Sequence, residues 1–176
     1  FQKSVTSVIP LNELCEQLGN IIECNMYLFY SSGEIFAYST AEAFHCPYND
    51  AALEENAMPA YHLRNFEASA RPQFNLYEEA PICTCESRDG CIFSNRYSAM
   101  VPIFSNNTKK AGILLIRYGA PFERDEEVLC EYVAAIISIE LIRQEHEQMQ
   151  REGYPLENHE DCGCLLYDLD SQQVQA

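Results

Sequence analysis

The sequence predicts an α+β domain: an antiparallel sheet with the N- and C-terminal helices packed on one face and a loop-covered cavity on the other. Three observations predict it. Two stretches with apolar residues at three- and four-residue spacing lie toward the two ends of the chain. Between them stand two pairs of short β-branched and aromatic runs, each pair closed by turn-forming residues. A long, proline-punctuated connection separates the pairs, and such segments inside a compact domain usually serve as lids or binding loops. The chain has 176 residues, 47% of them apolar. At that length about 68–70% of the unfolded surface is buried on folding, so a wholly disordered chain is excluded.

The elements follow in order. Leu11, Leu14, Leu18, Ile21 and Ile22 place one apolar stripe on a helix between Pro10 and Cys24, with Pro10 suited to its first turn. Met26 to Tyr30 and Glu34 to Tyr38 flank Ser31-Ser32-Gly33 and read as a hairpin. From Ala41 to Asn75 a weak helical pattern, clearest around Ala51 to Asn56, is cut by Pro47, Pro59 and Pro72, giving a helix-containing connection. A strand is expected near Ile82 to Cys85. Tyr97 to Phe104 and Ala111 to Tyr118 flank the segment Ser105 to Lys110 as a second hairpin, with Lys109 and Lys110 at a solvated tip. The continuous apolar run Ile113 to Ile116 suits a central strand covered on both faces, and Pro102 calls for an edge or a bulge. The strongest helix runs from Arg124 to about Gln150, with Asp125, Glu126 and Glu127 favouring the positive end of its dipole. Gly153 and Pro155 end it. Between Glu145 and Ala176 eight acidic residues face the single Arg151.

Charge and cysteine usage narrow the functional classes. The net charge is −16, and phosphate backbones are held mainly by Lys and Arg displacing counterions, so these residues repel DNA and another segment would have to touch it. The longest apolar run, Val133 to Ile139, is far short of a membrane span. The nine cysteines stand behind no apolar signal-peptide core, so a cytoplasmic location with reduced thiols is expected.

Several segments resemble the CodY family of global transcriptional regulators: Ile9-Pro10-Leu11-Asn12-Glu13-Leu14, Ile21-Ile22-Glu23-Cys24-Asn25, Gly33-Glu34-Ile35-Phe36-Ala37-Tyr38-Ser39, Met100-Val101-Pro102-Ile103, and Glu131 to Ala134 with Glu140 to Arg143. They occur in the family's order and nearly at its spacing. The resemblance implies a GAF-type effector-sensing domain over residues 1–147. It also implies an acidic linker over 148–176 that leads toward a winged helix-turn-helix domain outside this sequence. From it follow a cytoplasmic homodimer, a branched-chain amino acid as effector, chiefly isoleucine, GTP as a second effector, and DNA reached only through the further domain. No glycine-rich phosphate loop is present, so GTP rests on the resemblance alone.

Carried across without gaps from Gly33 to Phe66, the family's apolar pocket falls on Ala52, Met58, Pro59 and His62, with Tyr61 as neighbour. Its pocket strand falls on Pro81, Cys83 and Cys85. Tyr48 stands where the family has an arginine that pairs with the ligand carboxylate. A buried carboxylate needs a cation or several donors, and Arg64 and Arg88 are the substitutes nearest in sequence.

The alternative to a sensor is a thiolate metal-binding or redox module. Cys83 and Cys85 share one face of a strand, and a turn through Asp89-Gly90 would return Cys91 toward them, with His45 or Cys46 as a fourth donor for zinc or an iron–sulfur cluster. The spacing is not the Cys-x-x-Cys of a zinc ribbon. Free cysteines as small buried hydrophobes account for the pattern more simply. His159, Cys162 and Cys164 form a second donor set in the acidic tail. For catalysis, Cys83, Cys85 and Cys91 resemble the cavity cysteines of free-methionine sulfoxide reductases built on GAF domains, yet no other segment matches that family and a reactive thiol needs a nearby cation. An enzyme is therefore not expected, nor is a resident cofactor.

Overall fold

A computed structural model describes residues 10–41, 47–78 and 96–151, with backbone only for 47–49 and 78. The order of elements among them is α1 (Leu11–Ile22), β1 (Asn25–Tyr30), β2 (Ile35–Ser39), α2 (Pro47–Glu54), α3 (Ala60–Ala68), β3 (Gln73–Glu78), β4 (Arg96–Ser105), β5 (Thr108–Tyr118) and α4 (Arg124–Arg151). The strands form one five-stranded sheet in the order β2-β1-β5-β4-β3, antiparallel at every junction. The chain divides into two units, Phe1–Arg143 and Gln144–Ala176. The sheet and the cavity described below belong to the first, and of the second only Gln144–Arg151 is described. No helix among the described residues is long and apolar enough to cross a membrane.

Strand alternation sorts the core into two clusters. Met26, Leu28, Val101, Ile103, Ile113 and Leu115 meet Cys15, Leu18 and Ile22 of α1 and Cys130, Val133, Ile137 and Leu141 of α4. Their sequence neighbours Tyr27, Phe29, Met100, Leu114 and Ile116 point to the opposite face and pack with Ile35, Met58 and Phe66. The predicted α+β architecture is therefore present, with β5 central and buried on both faces as its apolar run requires.

Local chemistry explains where the connections fall. Asn106 and Asn107 take φ of +50° and +59°, the left-handed pair of a tight two-residue turn that asparagine tolerates. The tip is therefore shorter than the sequence suggests, and Lys109 lies inside β5. Its Nζ donates to the carbonyls of Phe66 (2.6 Å), Ser69 (2.7 Å) and Glu67 (3.1 Å), closing the C-terminus of α3. Lys109 is a helix clamp where a solvated tip was expected. Pro102 lies past the end of β3, whose last partner on that side is Gln73 opposite Met100, the edge position its missing N–H calls for.

Two elements were not separately predicted. The connection resolves into α2 and α3, the latter entered through Pro59 and burying His62 and Phe66 one turn apart. It then ends in β3, whose pattern is hidden by Asn75. That residue has φ +57° and sits where the β3–β4 register shifts. Its side chain clamps the backbone of Phe122, accepting from the N–H at 2.6 Å and donating to the carbonyl at 3.1 Å, which fixes the chain entering α4. The strand expected near Ile82 to Cys85 lies outside the described residues.

Candidate functional site

The face of the sheet opposite α1 and α4 is roofed by α2 and α3, and the roof is held at both ends. The α2–α3 link is pinned to the first hairpin: Met58 N–H donates to the Gly33 carbonyl (2.7 Å) and Ile35 N–H to the Asn56 carbonyl (3.2 Å). Gly33 has φ +95°, and a Cβ there would stand 2.9 Å from Leu63 of α3, so a side chain is excluded by both conformation and space. At the far end Lys109 holds the last carbonyls of α3. Beneath α3, Gly112 of β5 leaves room for Phe66, which meets Phe29 edge to face at 5.1 Å between ring centroids. A Cβ on Gly112 would approach both rings to within 2.9 Å.

Between sheet and roof lies a cavity lined by Tyr27, Ile35, Ala52, Met58, Pro59, His62, Leu114 and Ile116. The space open to the centre of a water-sized sphere is about 10 Å³, near what one water needs. The described residues therefore pack closely beneath α2 and α3. The lining is apolar except for Tyr27 and His62, which suits an aliphatic group held by few polar contacts.

Of the residues singled out in the sequence, Ala52, Met58, Pro59 and His62 come together around this cavity. Tyr61 stands just outside the lining, its ring 5.2 Å from that of His62. Tyr48 lies on α2, and its side chain is outside the described residues, as are Pro81, Cys83, Cys85 and Cys91. Of the two substitute cations, Arg64 points to solvent on α3 and Arg88 lies outside the described residues.

Sequence reading missed the cation that the fold does supply. Arg96 opens β4 and is 5% exposed. It shares a sheet face with Ser98 and Met100, and Ser98 and Met100 pair with Ile116 and Leu114 of the cavity floor. Its guanidinium carbon is 6.0 Å from the Tyr61 ring centroid. Among the described residues its Nε and Nη2 have no hydrogen-bond partner, and neither does Nε2 of His62. Burial, reinforced by the Arg96 charge, pushes the His62 imidazole down to about 3, so it is neutral at physiological pH. A charged residue heading an apolar run, Arg96 before Tyr97, was the available signal; its distance from the roof in sequence concealed it.

The other face holds thiols that do no chemistry as placed. Cys15, Cys24 and Cys130 are free and buried, and burial pushes each up to about 12, which keeps them protonated.

A family model described as the CodY GAF-like domain matches residues 1–154. The chain is 30% identical over 154 residues to the global transcriptional regulator CodY of Clostridium perfringens, a match that covers 87% of this chain and 59% of that protein. It is 27% identical over the same length to the CodY of Clostridium tetani. The chain thus spans 59% of the length of these curated relatives. Its fold is similar to the cofactor-binding GAF domain of the nutrient sensor CodY from Clostridium difficile, with a TM-score of 0.57 at 19% identity over 77% of this chain and 86% of that one. It is also similar to the GAF3 domain of Slr1393 from Synechocystis, with a TM-score of 0.51 at 15% identity over 80% of this chain and 94% of that one.

Proposed function

The chain belongs to the CodY family through its GAF-like domain, and from that premise we propose that it is the effector-sensing part of a cytoplasmic transcriptional regulator and not an enzyme. Its effector is a branched-chain amino acid, isoleucine, leucine or valine, taken up under α2 and α3. DNA is contacted by a segment outside these residues, in keeping with their net charge of −16. GTP as a second effector is carried by family membership alone.

The observation that carries the reading is the small, mainly apolar cavity beneath a roof fastened at its two ends. Only a ligand with different affinity for the two roof positions shifts the equilibrium between them. Strands β1 and β5 lie between the two clusters, with Tyr27, Phe29, Leu114 and Ile116 toward the cavity and Met26, Leu28, Ile113 and Leu115 toward α1 and α4. A shift of the roof therefore reaches the packing of α4 through shared strands.

Homodimerisation is supported by α4, where Val128, Tyr132, Ile136 and Ile139 are 50%, 65%, 39% and 69% exposed and share one helical face. Sedimentation of the chain as a dimer, with Tyr132→Glu sedimenting as a monomer, is the expected behaviour.

The effector reading is tested by thermal denaturation with each branched-chain amino acid in turn. Binding to the native state stabilises it by about 2.7 kcal/mol at a hundredfold excess over Kd, a readily measured rise in melting temperature. No rise with any of them, together with stoichiometric zinc or iron in protein purified without oxygen, would favour the thiolate reading of Cys83, Cys85 and Cys91 instead.

A further inference from the structure

The buried cation at the head of β4 packs over the Tyr61 ring but leaves part of its hydrogen-bonding capacity unused. Arg96 is 5% exposed and His62 2%, and Nε and Nη2 of the one and Nε2 of the other lack partners among the described residues. Leaving charged donors buried and unpaired is costly, and such groups are ordinarily neutralised or hydrogen-bonded. Of these two unpartnered groups from different elements, α3 and β4, His62 lines the cavity and Arg96 stands behind it, close enough for its charge to act on the imidazole, with the Tyr61 ring 6.0 Å from Arg96 and 5.2 Å from His62. A guanidinium presents parallel N–H donors that match a carboxylate in bidentate fashion.

We propose that Arg96 is the specificity-determining anchor of the cavity, pairing through Nε and Nη2 with the carboxylate of a small aliphatic ligand whose apolar part lies against Met58, Leu114 and Ile116, with the His62 imidazole beside the charged pair. The anchor comes from the sheet, so it stays in place while the roof moves, and the ligand carboxylate pairs with the two donors that have no partner among the described residues. The proposal rests on the cavity being the effector site and assigns the residue that selects among effectors: ligands without the carboxylate are excluded.

The test is calorimetric titration and thermal denaturation of the 176-residue chain and its Arg96→Gln and Arg96→Lys variants. The probes are isoleucine, leucine, valine, their 2-oxo acids, isoleucinamide and inorganic phosphate. In the unsubstituted chain at least one carboxylate binds and isoleucinamide does not. Arg96→Gln weakens that binding by about tenfold or more while raising the melting temperature of the ligand-free protein, because an unpaired buried charge has been removed. Arg96→Lys retains the charge without the fork and binds at an intermediate level. A merely structural arginine would lower the melting temperature when replaced, and that result overturns the proposal. Undiminished carboxylate binding by Arg96→Gln, or equal binding of isoleucinamide, overturns the anchor while leaving the effector site standing. Failure of every carboxylate to bind, or binding of phosphate alone, overturns both.

Discussion

Replacing Lys109 with Met removes one ammonium and little else, since the aliphatic stem that lies over Phe66 is kept. The ammonium sits 4.7 Å from the centre of that ring and donates to the carbonyls of Phe66, Ser69 and Glu67 at 2.6, 2.7 and 3.1 Å. These carbonyls stand at the end of α3, where intrahelical donors run out, although that of Phe66 also accepts the Ser69 N–H at 3.0 Å. Hydrogen bonds involving a charged group contribute about 1.5–3 kcal/mol net. The exposed Glu67 carbonyl recovers its hydration and the Phe66 carbonyl keeps the Ser69 N–H, so the loss, borne mainly by the carbonyl of buried Ser69, falls within that range rather than at three times it. For a chain of this length 1 kcal/mol corresponds to about 2–4 °C, which places the fall in melting temperature at roughly 3–12 °C. Amide hydrogen exchange locates the effect: protection drops at Phe66 and Ser69 while β1 and β5 keep theirs. Lys109→Arg recovers most of the loss. A Met variant that melts within 1 °C of the parent with unchanged exchange in α3 refutes the clamp and returns Lys109 to the role of a solvated hairpin residue.

Three further outcomes follow from the packing of the two faces of the sheet. Gly112→Ala, whose Cβ would stand 2.8 Å from Phe29 and 2.9 Å from Phe66, destabilises by about 1–3 kcal/mol through overpacking, read by urea denaturation; adding Phe66→Leu to it restores part of the loss, and additive losses would contradict the assigned contact. His62 is held down at about 3 against an ordinary 6.5, so its contribution is complete above pH 6.5 and is lost as pH falls toward 3. The slope is at most about 1.4 kcal/mol per pH unit, and His62→Gln flattens the fall in stability between pH 6 and 4; equal slopes in parent and variant count against a buried neutral imidazole. Cys15, Cys24 and Cys130, pushed up to about 12, stay unmodified when the native protein meets iodoacetamide at pH 8 and react once it is unfolded in urea, as peptide mapping by mass spectrometry will report; alkylation of all three in the native state at the unfolded rate contradicts their burial.

The sequence by itself determined the parts of this protein that depend on periodicity. The apolar stripes of α1 and α4, the β1–β2 hairpin and the buried strand β5 are repeated local patterns, and they were legible for that reason. Ala52, Met58, Pro59 and His62 came instead from the resemblance to the CodY family, carried across one ungapped segment, and the structure brings them around one cavity. Three features depended on the tertiary structure. Strand β3 is masked by Asn75, whose left-handed backbone is stabilised by Phe122, 47 residues away. Lys109 reads as surface until its ammonium is seen against α3. Arg96 reads as an ordinary strand-end cation, 34 positions beyond His62, until the fold buries it beside Tyr61 and brings its charge to bear on His62. Local pattern fixes which face a residue presents; only long-range pairing decides what it meets, and whether a buried charge is left awaiting a partner.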